Sequence, residues 1–314
     1  DTKGDLNTAI GIGALQSQNF TSTTDSYNTA VGGFAGGSNT TGQANTFVGG
    51  LAGNNNTTGE KNVALGYQAL TTNVAGDQAV AIGHEALKVA NPSGNANLND
   101  TAVGFQAGLA CTTGSKNVFI GSSTGYNLTT GSTSIYVGYN STASAVNITN
   151  EIVIGSNAAG GGTNTARFQT TGGSATLGLD GSDTSWAAAS DSRLKKDVAS
   201  STVGLNFIKD LRPVTFKWNA KNAVANSLPQ YDADSSDPVF GEGKAHHGFI
   251  AQEVKTVIDA HSDVVNGHNL WSVDPDGTQQ VAPSALVPML TKALQELSEK
   301  NDALTIRITA LEAE

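Results

Sequence analysis

The segment from Ser190 to Asp197 carries the sharpest chemical motif in this 314-residue chain. It reads Ser-Asp-Ser-Arg-Leu-Lys-Lys-Asp, so hydroxyls, carboxylates and cations lie close together. A serine hydroxyl is a weak nucleophile without a base, and a lysine can act as that base once desolvation lowers its pKa. Taken alone, however, the pattern favours a capped, charged surface turn.

The other polar residues indicate no second reactive site. His246 and His247 are adjacent, so on a strand they would point to opposite faces and make poor joint metal ligands. The ten acidic residues of positions 1–189 are scattered without the register of a glycosidase pair, and we interpret them as solvated turn residues. A carboxylate pair formed between chains stays open. No phosphate-binding loop, cofactor site or metal site is predicted.

Composition divides the chain into two parts. Residues 1–189 hold 31 of the 37 glycines but only 15 charged residues, whereas residues 190–314 hold 29 charged residues. The net charge of −10 argues against a nucleic-acid groove, and no apolar run is long enough for membrane insertion. The single cysteine, Cys111, cannot form an internal disulfide.

The first part repeats the pattern Asn-Thr-Ala-Val-Gly, loosely kept, nine times at spacings of 17 or 21 residues. A fixed period of this kind is the signature of a repeat architecture. The marker glycines are Gly11, Gly32, Gly49, Gly66, Gly83, Gly104, Gly121, Gly138 and Gly155.

Each repeat has room for about two five-residue strands and two turns, which predicts one coil of a β-solenoid. Small inward residues would fill the core, and the marker glycines would lie where the backbone bends or two backbones approach closely. Because the repeats contain few large apolar residues, one chain alone would bury little surface, which favours several copies packed side by side. Residues 5–160 resemble the left-handed parallel β-roll of trimeric autotransporter adhesin heads, and similar repeats in phage tail fibres. We predict a shaft over 1–160 and a β-rich neck over 161–189.

Residues 190–314 read as an α+β domain. The predicted elements are a helix capped by Thr202 and ending before Pro213, a strand over Val214–Trp218, a helix opening within Gly248–Val254, a short strand over Trp271–Asp274 and a terminal helix from Ala285.

This order resembles the C-terminal intramolecular chaperone auto-processing domain of endosialidase tailspikes and other phage tail fibres. The resemblance rests on four segments: Ser190 to Lys195, Leu211 to Val214, Gly248 to Val254 and Leu286 to Leu297. It implies a domain that trimerises, assists folding of the β-rich stalk before it and then cleaves itself off. Carried over to this chain, the cut falls between Ser190 and Asp191, with Ser190 as nucleophile and Lys195 as general base.

The spacing constrains such a pair. Residues five apart lie about 140° apart on an ideal helix, so Ser190 must lie on an extended segment that turns back toward Lys195. Cleavage would then require correct folding. Lys196 is the alternative base by adjacency. Arg193 is assigned no chemical step but could orient the loop or pair with an acid, and His247 could support Lys195.

The C-terminal residues predict a coiled coil over about 286–314. One seam position holds Leu290, Leu297, Leu304 and Leu311, and the other holds Val287, Leu294, Asn301 and Ile308. The polar Asn301 would fix the register. An amphipathic helix packed on its own domain is the alternative.

Together these features predict a homotrimeric phage tail fibre for host attachment, found in the virion tail after assembly in the host cytoplasm. Its C-terminal domain would act once as a Ser-Lys endopeptidase and be released. The expected partners are a host cell-surface receptor of glycan type and upstream tail proteins, since the sequence begins at Asp1 without a methionine. Two alternatives remain: a non-cleaving trimeric adhesin with a structural C-terminal clamp, and a polysaccharide depolymerase.

Overall fold

The computed structural model describes residues 3–94, 96–171, 173–179, 187–188, 190–241, 243–264, 269–274 and 276–313. The chain divides into two compact units, Asp1–Leu194 and Lys195–Glu314. Part of the predicted neck, residues 172, 180–186 and 189, lies outside the described residues.

The first unit is a β-solenoid, as the repeat predicts. A three- to five-residue strand precedes each marker glycine, and successive strands pair in parallel register. These coil strands are β2 (Thr8–Ile10), β4 (Thr29–Val31), β5 (Thr46–Val48), β6 (Val63–Leu65), β7 (Val80–Ile82), β8 (Thr101–Val103), β9 (Val118–Ile120), β10 (Ile135–Val137) and β11 (Glu151–Gly155).

Short strands close both ends of the solenoid. At the N-terminal end, β1 (Gly4–Asp5) pairs in parallel with β3 (Thr24–Asp25). At the other end, β12 (Thr165–Thr170) adds to β11 in parallel. The strands β13 (Gly173–Gly178) and β14 (Ala187–Ala188) then continue the sheet in antiparallel order.

From β4 to β11, each coil strand points its middle residue into the core and the two residues beside it outward, as the two-residue period of a strand requires; in β2 all three residues are exposed. From β4 to β11 these inward residues are fully buried. They are Ala30, Phe47, Ala64, Ala81, Ala102, Phe119, Tyr136 and Val153. The expectation of small inward residues therefore holds for half of them, while aromatic rings fill the core at three coils.

The expectation of two five-residue strands per coil is wrong. Each coil has one short strand, and stacked turns form its other side. These turns are bonded from coil to coil: Gly36 N donates to Ala52 O at 2.9 Å, and Gly53 N donates to Ala69 O at 2.9 Å. Because inter-coil bonds satisfy the backbone in the turns, a second strand is not needed.

The marker glycines sit where neighbouring backbones almost touch, as predicted. Gly32 has a φ of +134°, and a Cβ at this position would lie only 2.6 Å from the carbonyl oxygen of Gly49 in the next coil. Any larger residue would push the two coils apart and would be strained at this φ.

A ladder of buried polar side chains joins the coils four residues before most marker glycines, and buried asparagines hold this position at Asn28, Asn45, Asn62 and Asn117. Asn45 Oδ1 accepts a hydrogen bond from the backbone N–H of Asn62 at 3.0 Å, and Asn45 Nδ2 donates to Gly59 O at 2.8 Å. Asn28 and Asn117 make the equivalent bonds in their own coils. Each rung thus satisfies a buried donor of the following coil and a carbonyl at a turn.

Two acidic residues occupy rungs of this ladder, so the interpretation of the first-half acids as solvated turn residues is wrong for both. Glu151 is fully buried and accepts hydrogen bonds from the Tyr136 hydroxyl at 3.0 Å and the Gly162 N–H at 2.9 Å. Burial, followed by the charge of Glu151, raises the pKa of the Tyr136 hydroxyl. The side chain of Glu151 therefore links Tyr136 of the preceding coil to Gly162, near the end of the shaft.

The other acidic rung is Asp100, which is also fully buried. Its Oδ1 accepts from the backbone N–H of Asn117 at 2.7 Å, and the thiol of Cys111 donates to its Oδ2 at 3.8 Å. Burial raises the pKa of Asp100 to about 7, and it also raises the pKa of Cys111. An asparagine could donate here at every pH, whereas Asp100 can donate only when protonated.

The second unit packs three helices around two strand pairs. The helices are α1 (Leu205–Asp210), α2 (Ala251–Ala260) and α3 (Leu286–Glu312). The pairs are β15 (Val214–Phe216) with β16 (His246–Gly248) and β17 (Trp271–Val273) with β18 (Gln279–Val281), both antiparallel. Short 3₁₀ turns span Ser192–Leu194 in the first unit, and Lys221–Ala223 and Pro283–Ala285 in the second. Phe207, Val254, Leu270 and Met289 lie in the core of the second unit.

The predicted cap of the first helix is wrong. The N-cap residue of α1 is Gly204, which has no side chain to cap the helix. Instead, Glu296 of α3 accepts the N–H of Leu205 at 2.8 Å. That hydrogen bond lowers the pKa of Glu296. The cap is a tertiary contact across 91 residues, which local capping rules do not predict for Thr202.

We expect Asn45→Ala to lower the free energy of unfolding by about 2 kcal/mol or more, because the Asn62 N–H and the Gly59 carbonyl both lose a buried partner. Thermal unfolding followed by circular dichroism measures the change. Asn55→Ala, at an exposed turn position, is the matched control and should unfold like the wild type. Equal midpoints for Asn45→Ala and the control would contradict the ladder's role.

We expect Asp100→Asn to stabilise the shaft above pH 7 and to have no effect below pH 3.8. The pKa of Asp100 is about 7 in the folded chain against an ordinary 3.8, so the folded state binds the proton more tightly. Wild-type stability therefore falls between these two pH values, by about 4 kcal/mol at most. Unfolding midpoints of wild type and variant across this range measure the difference.

Asp25→Asn, at an exposed position, serves as the control for a general change of charge. If Asp100→Asn and wild type have the same unfolding midpoint at pH 8, and if both midpoints change with pH by the same amount, then protonation of Asp100 does not cause the pH dependence of stability.

Candidate functional site

The candidate cleavage segment is an exposed turn at the end of the first unit. Ser190 and Asp191 have no regular secondary structure, and Ser192–Leu194 form a 3₁₀ turn. Asp191 Oδ1 accepts the backbone N–H of Arg193 at 2.8 Å, which fixes the turn two residues after the candidate bond.

Asp191 and Arg193 also form a bidentate ion pair. Arg193 Nε lies 3.0 Å from Asp191 Oδ1, and Arg193 Nη2 lies 2.6 Å from Asp191 Oδ2. These bonds lower the pKa of the Asp191 carboxyl and raise the pKa of the Arg193 guanidinium. Arg193 thus pairs with an acid, one of the roles considered for it, and orders the residue that follows the candidate bond.

The proposed nucleophile and base lie on different sides of the division between the units. Ser190 belongs to the first unit and Lys195 to the second. Both residues are exposed, as are Lys196 and the other residues of this segment. Each therefore has water access, whereas a lysine that acts as a base needs an environment that desolvates its amine.

The second unit contains an open groove of about 760 Å³ between its two strand pairs. Its lining includes aromatic side chains and carboxylates. Lining residues include Trp218, Phe240, His247, Phe249, Asp274 and Asp276. Lys195 is not among the described residues that line the groove, so the support that His247 was predicted to give Lys195 stays a prediction.

The adjacent histidines of β16 face different surroundings. The ring of His246 lies 5.6 Å from the ring of Phe216 and 6.4 Å from that of Trp218, while His247 is exposed. Within the described residues, no group of three or more His, Cys, Asp or Glu side chains is placed to hold a metal ion. No helix in the same part of the chain is long and apolar enough to cross a membrane.

Two of the segments that carry the sequence resemblance meet in the second unit. Arg212 follows α1, Glu253 lies in the first turn of α2, and Arg212 Nε donates to Glu253 Oε2 at 3.0 Å. The pair lowers the pKa of Glu253. It is exposed and contributes little stability by itself, but it connects the loop before β15 to α2.

Comparison with protein families identifies the C-terminal part. Residues 190–263 match the family model described as the chaperone of endosialidase. The chain carries an endosialidase-type chaperone domain. The match implies a self-cleaving, peptidase-like domain, and together with the β-solenoid before it, it fits a phage tail fibre with a C-terminal intramolecular chaperone. This family is consistent with a location in the virion tail.

The match has defined limits. It covers three of the four segments on which the resemblance rests and ends before Leu286, where α3 begins. No curated protein and no solved structure matches the chain. The kinship of the shaft with adhesin heads therefore stays a prediction, although its solenoid fold is confirmed.

Sequence reasoning missed two positions that organise the structure. Glu296 caps α1 from α3, and only the three-dimensional fold brings these elements together. Asp100 replaces an asparagine of the repeat, and this signal is visible in the sequence once the repeats are aligned on their marker glycines. A polar residue at this position in every coil but that of Ala79 indicates an inward-facing ladder rather than a solvated turn.

Proposed function

We propose that this chain is a trimeric phage tail fibre for host attachment, whose C-terminal domain assists shaft folding and then cuts the bond between Ser190 and Asp191. One observation carries the proposal: the match to the endosialidase chaperone family begins at Ser190, after the repeats of the shaft and the strands β12 to β14 that follow them. The start of the match therefore coincides with the candidate bond.

The cleavage step needs a nucleophile, a base and a leaving group. Neutral Lys195 takes the proton from the Ser190 hydroxyl of one copy, and that oxygen attacks the carbonyl carbon of Ser190 in a neighbouring copy. The C–N bond breaks, and the proton passes to the nitrogen of Asp191, which becomes a new N-terminus. Water then hydrolyses the resulting ester and restores the serine hydroxyl.

Covalent geometry limits which serine can attack. The hydroxyl oxygen of Ser190 could reach its own carbonyl carbon only by closing a four-membered ring, which carries severe bond-angle strain. We therefore propose that the serine of one copy attacks the bond of a neighbouring copy. Assembly would then bring nucleophile and bond together, and it would also supply the burial that lowers the pKa of a lysine base.

The exposed seam of α3 supports self-association. Leu286, Met289 and Ala293 bury one face of the helix in its own domain. The seam side chains lie along an adjoining stripe of the helix and are exposed; they are Val287, Leu290, Leu294, Leu297, Leu304, Ile308 and Leu311. The apolar side chains of an exposed heptad seam of this length are buried most effectively when they pack against the same seam of other copies.

The decisive cleavage test compares serine and lysine variants on a denaturing gel. Ser190→Ala and Lys195→Arg should leave the chain full length, because alanine has no nucleophile and arginine stays protonated. Ser192→Ala and Lys196→Arg are matched controls and should be cut like the wild type. Cleavage of Ser190→Ala, or a full-length wild type, would overturn the proposed step.

We expect Leu297→Asp to prevent trimer formation, since each copy would bring a charge into the seam. Gln295→Asp places the same charge beside the seam, at an exposed position, and should leave the oligomer intact. Light scattering coupled to size-exclusion chromatography measures the mass of each variant. A trimeric Leu297→Asp would show that α3 is not the association element.

A further inference from the structure

The groove between the two strand pairs of the second unit takes no part in the chemistry of the proposed cleavage step. Its volume of about 760 Å³ lies within the range of sites that hold a ligand, roughly 300–1,000 Å³. Three lining side chains form an aromatic wall: the ring of Trp218 lies 5.2 Å from that of Phe216 and 4.9 Å from that of Phe240. Trp218 and Phe240 are exposed by 40% and 50%. Exposed rings grouped in a concave site are typical of a surface that binds a partner.

The groove also carries negative charge. Its lining includes the carboxylates of Asp274 and Asp276 against the single amine of Lys217. The N–H of Thr278 donates to Asp276 Oδ1 at 2.9 Å, and this hydrogen bond lowers the pKa of Asp276, which keeps its carboxylate charged. A cation is attracted both by carboxylates and by the faces of aromatic rings. The chemistry of the groove therefore fits a cationic side chain with apolar neighbours.

One exposed segment of the chain has this composition. Residues 193–198 read Arg-Leu-Lys-Lys-Asp-Val, with three cations against one acid in a chain whose net charge is −10. We call them the processing segment. The side chain of Lys196 is 90% exposed, and Leu194 and Val198 are exposed by 74% and 76%. No residue of the processing segment is among the described residues that line the groove of its own copy. Its apolar and cationic side chains therefore face solvent.

We infer that the groove of one copy binds the processing segment of a neighbouring copy. This inference rests on the proposed cleavage between copies and names the surface that would hold the bond in place. Charge complementarity and the exposure of the segment favour a second copy of this chain as the occupant. Lys196 lies six residues after Ser190, so docking would fix the chain close to the candidate bond.

The docked segment would also separate the roles of its two adjacent lysines. Side chains alternate between opposite sides of an extended chain, so Lys196 and Val198 would enter the groove together while Lys195 points away from it. Nearby carboxylates favour the protonated form of a lysine. The groove would therefore hold Lys196 as a cation and leave Lys195 outside the reach of Asp274 and Asp276. Lys196 is then a positioning residue.

The first test is cross-linking between two different full-length copies expressed together, both carrying Ser190→Ala so that the bond stays intact. One copy carries Ser200→Cys, which lies two residues after Val198 and keeps the docking side chains. The other carries Gln252→Cys at the groove. The control pair replaces Gln252→Cys by Asp234→Cys, at an exposed position that is not among the described lining residues. A short bifunctional maleimide is added to the native proteins.

We expect linked chains from Ser200→Cys with Gln252→Cys, and only background linking from the control pair or from either variant alone. Chain mass after denaturation reports the links, and light scattering reports the native mass. A trimer in which the groove pair links no more than the control pair overturns this inference and leaves the proposed function intact. A monomer overturns the proposed trimer and the inference with it.

Charge exchange gives a second readout in chains that keep Ser190. Lys196→Glu and Asp276→Lys should each slow cleavage about tenfold or more, because each brings like charges together in the groove. The two changes combined should restore most of the rate, whereas Lys196→Glu combined with Asp234→Lys should stay slow. The conservative variant Lys196→Arg keeps the cation and should still dock and be cut. Equal rates for the two combinations, or normal cleavage of Lys196→Glu, would contradict docking.

Discussion

The hydrogen-bond ladder between coils is the interaction on which the shaft depends. Each coil is too short to bury a core of its own, so its inward polar groups must find partners in the neighbouring coil. Asn45 shows the arrangement, since one amide satisfies the N–H of Asn62 and the carbonyl of Gly59. The marker glycines allow this by letting the backbones approach, as at Gly32. Stability therefore comes from stacking rather than from any single coil.

This dependence explains why such a shaft would be joined to a folding domain. A first coil has nothing to stack on, and parallel pairing between residues 17 or 21 apart must be in register before the ladder forms. A slip by one residue would place the outward residues of the coil strands inside and the core residues outside. The second unit has a core of its own, built around residues such as Phe207 and Leu270, and under the proposed function it would fold first and hold several chains in a common register.

The parts that follow from a period could be predicted, and those that depend on tertiary contacts could not. Nine marker glycines were enough to locate every coil strand and the close approach of backbones. The second strand of each coil was predicted wrongly because the turns bond to one another directly. The cap of α1 by Glu296 and the burial of Asp100 could not be predicted, because both depend on which residues are neighbours in the folded chain. The roles of Ser190 and Lys195 stay predictions, because they lie in different units and depend on assembly.

Intact mass spectrometry of the purified protein, with sequencing of any new N-terminus, tests the central claim most directly. If the C-terminal domain folds the shaft and then cuts itself off, the sample contains two fragments whose masses add up to the full chain plus one water. The second fragment begins at Asp191. A single full-length mass in a correctly folded sample, or a break at any other bond, would contradict the account.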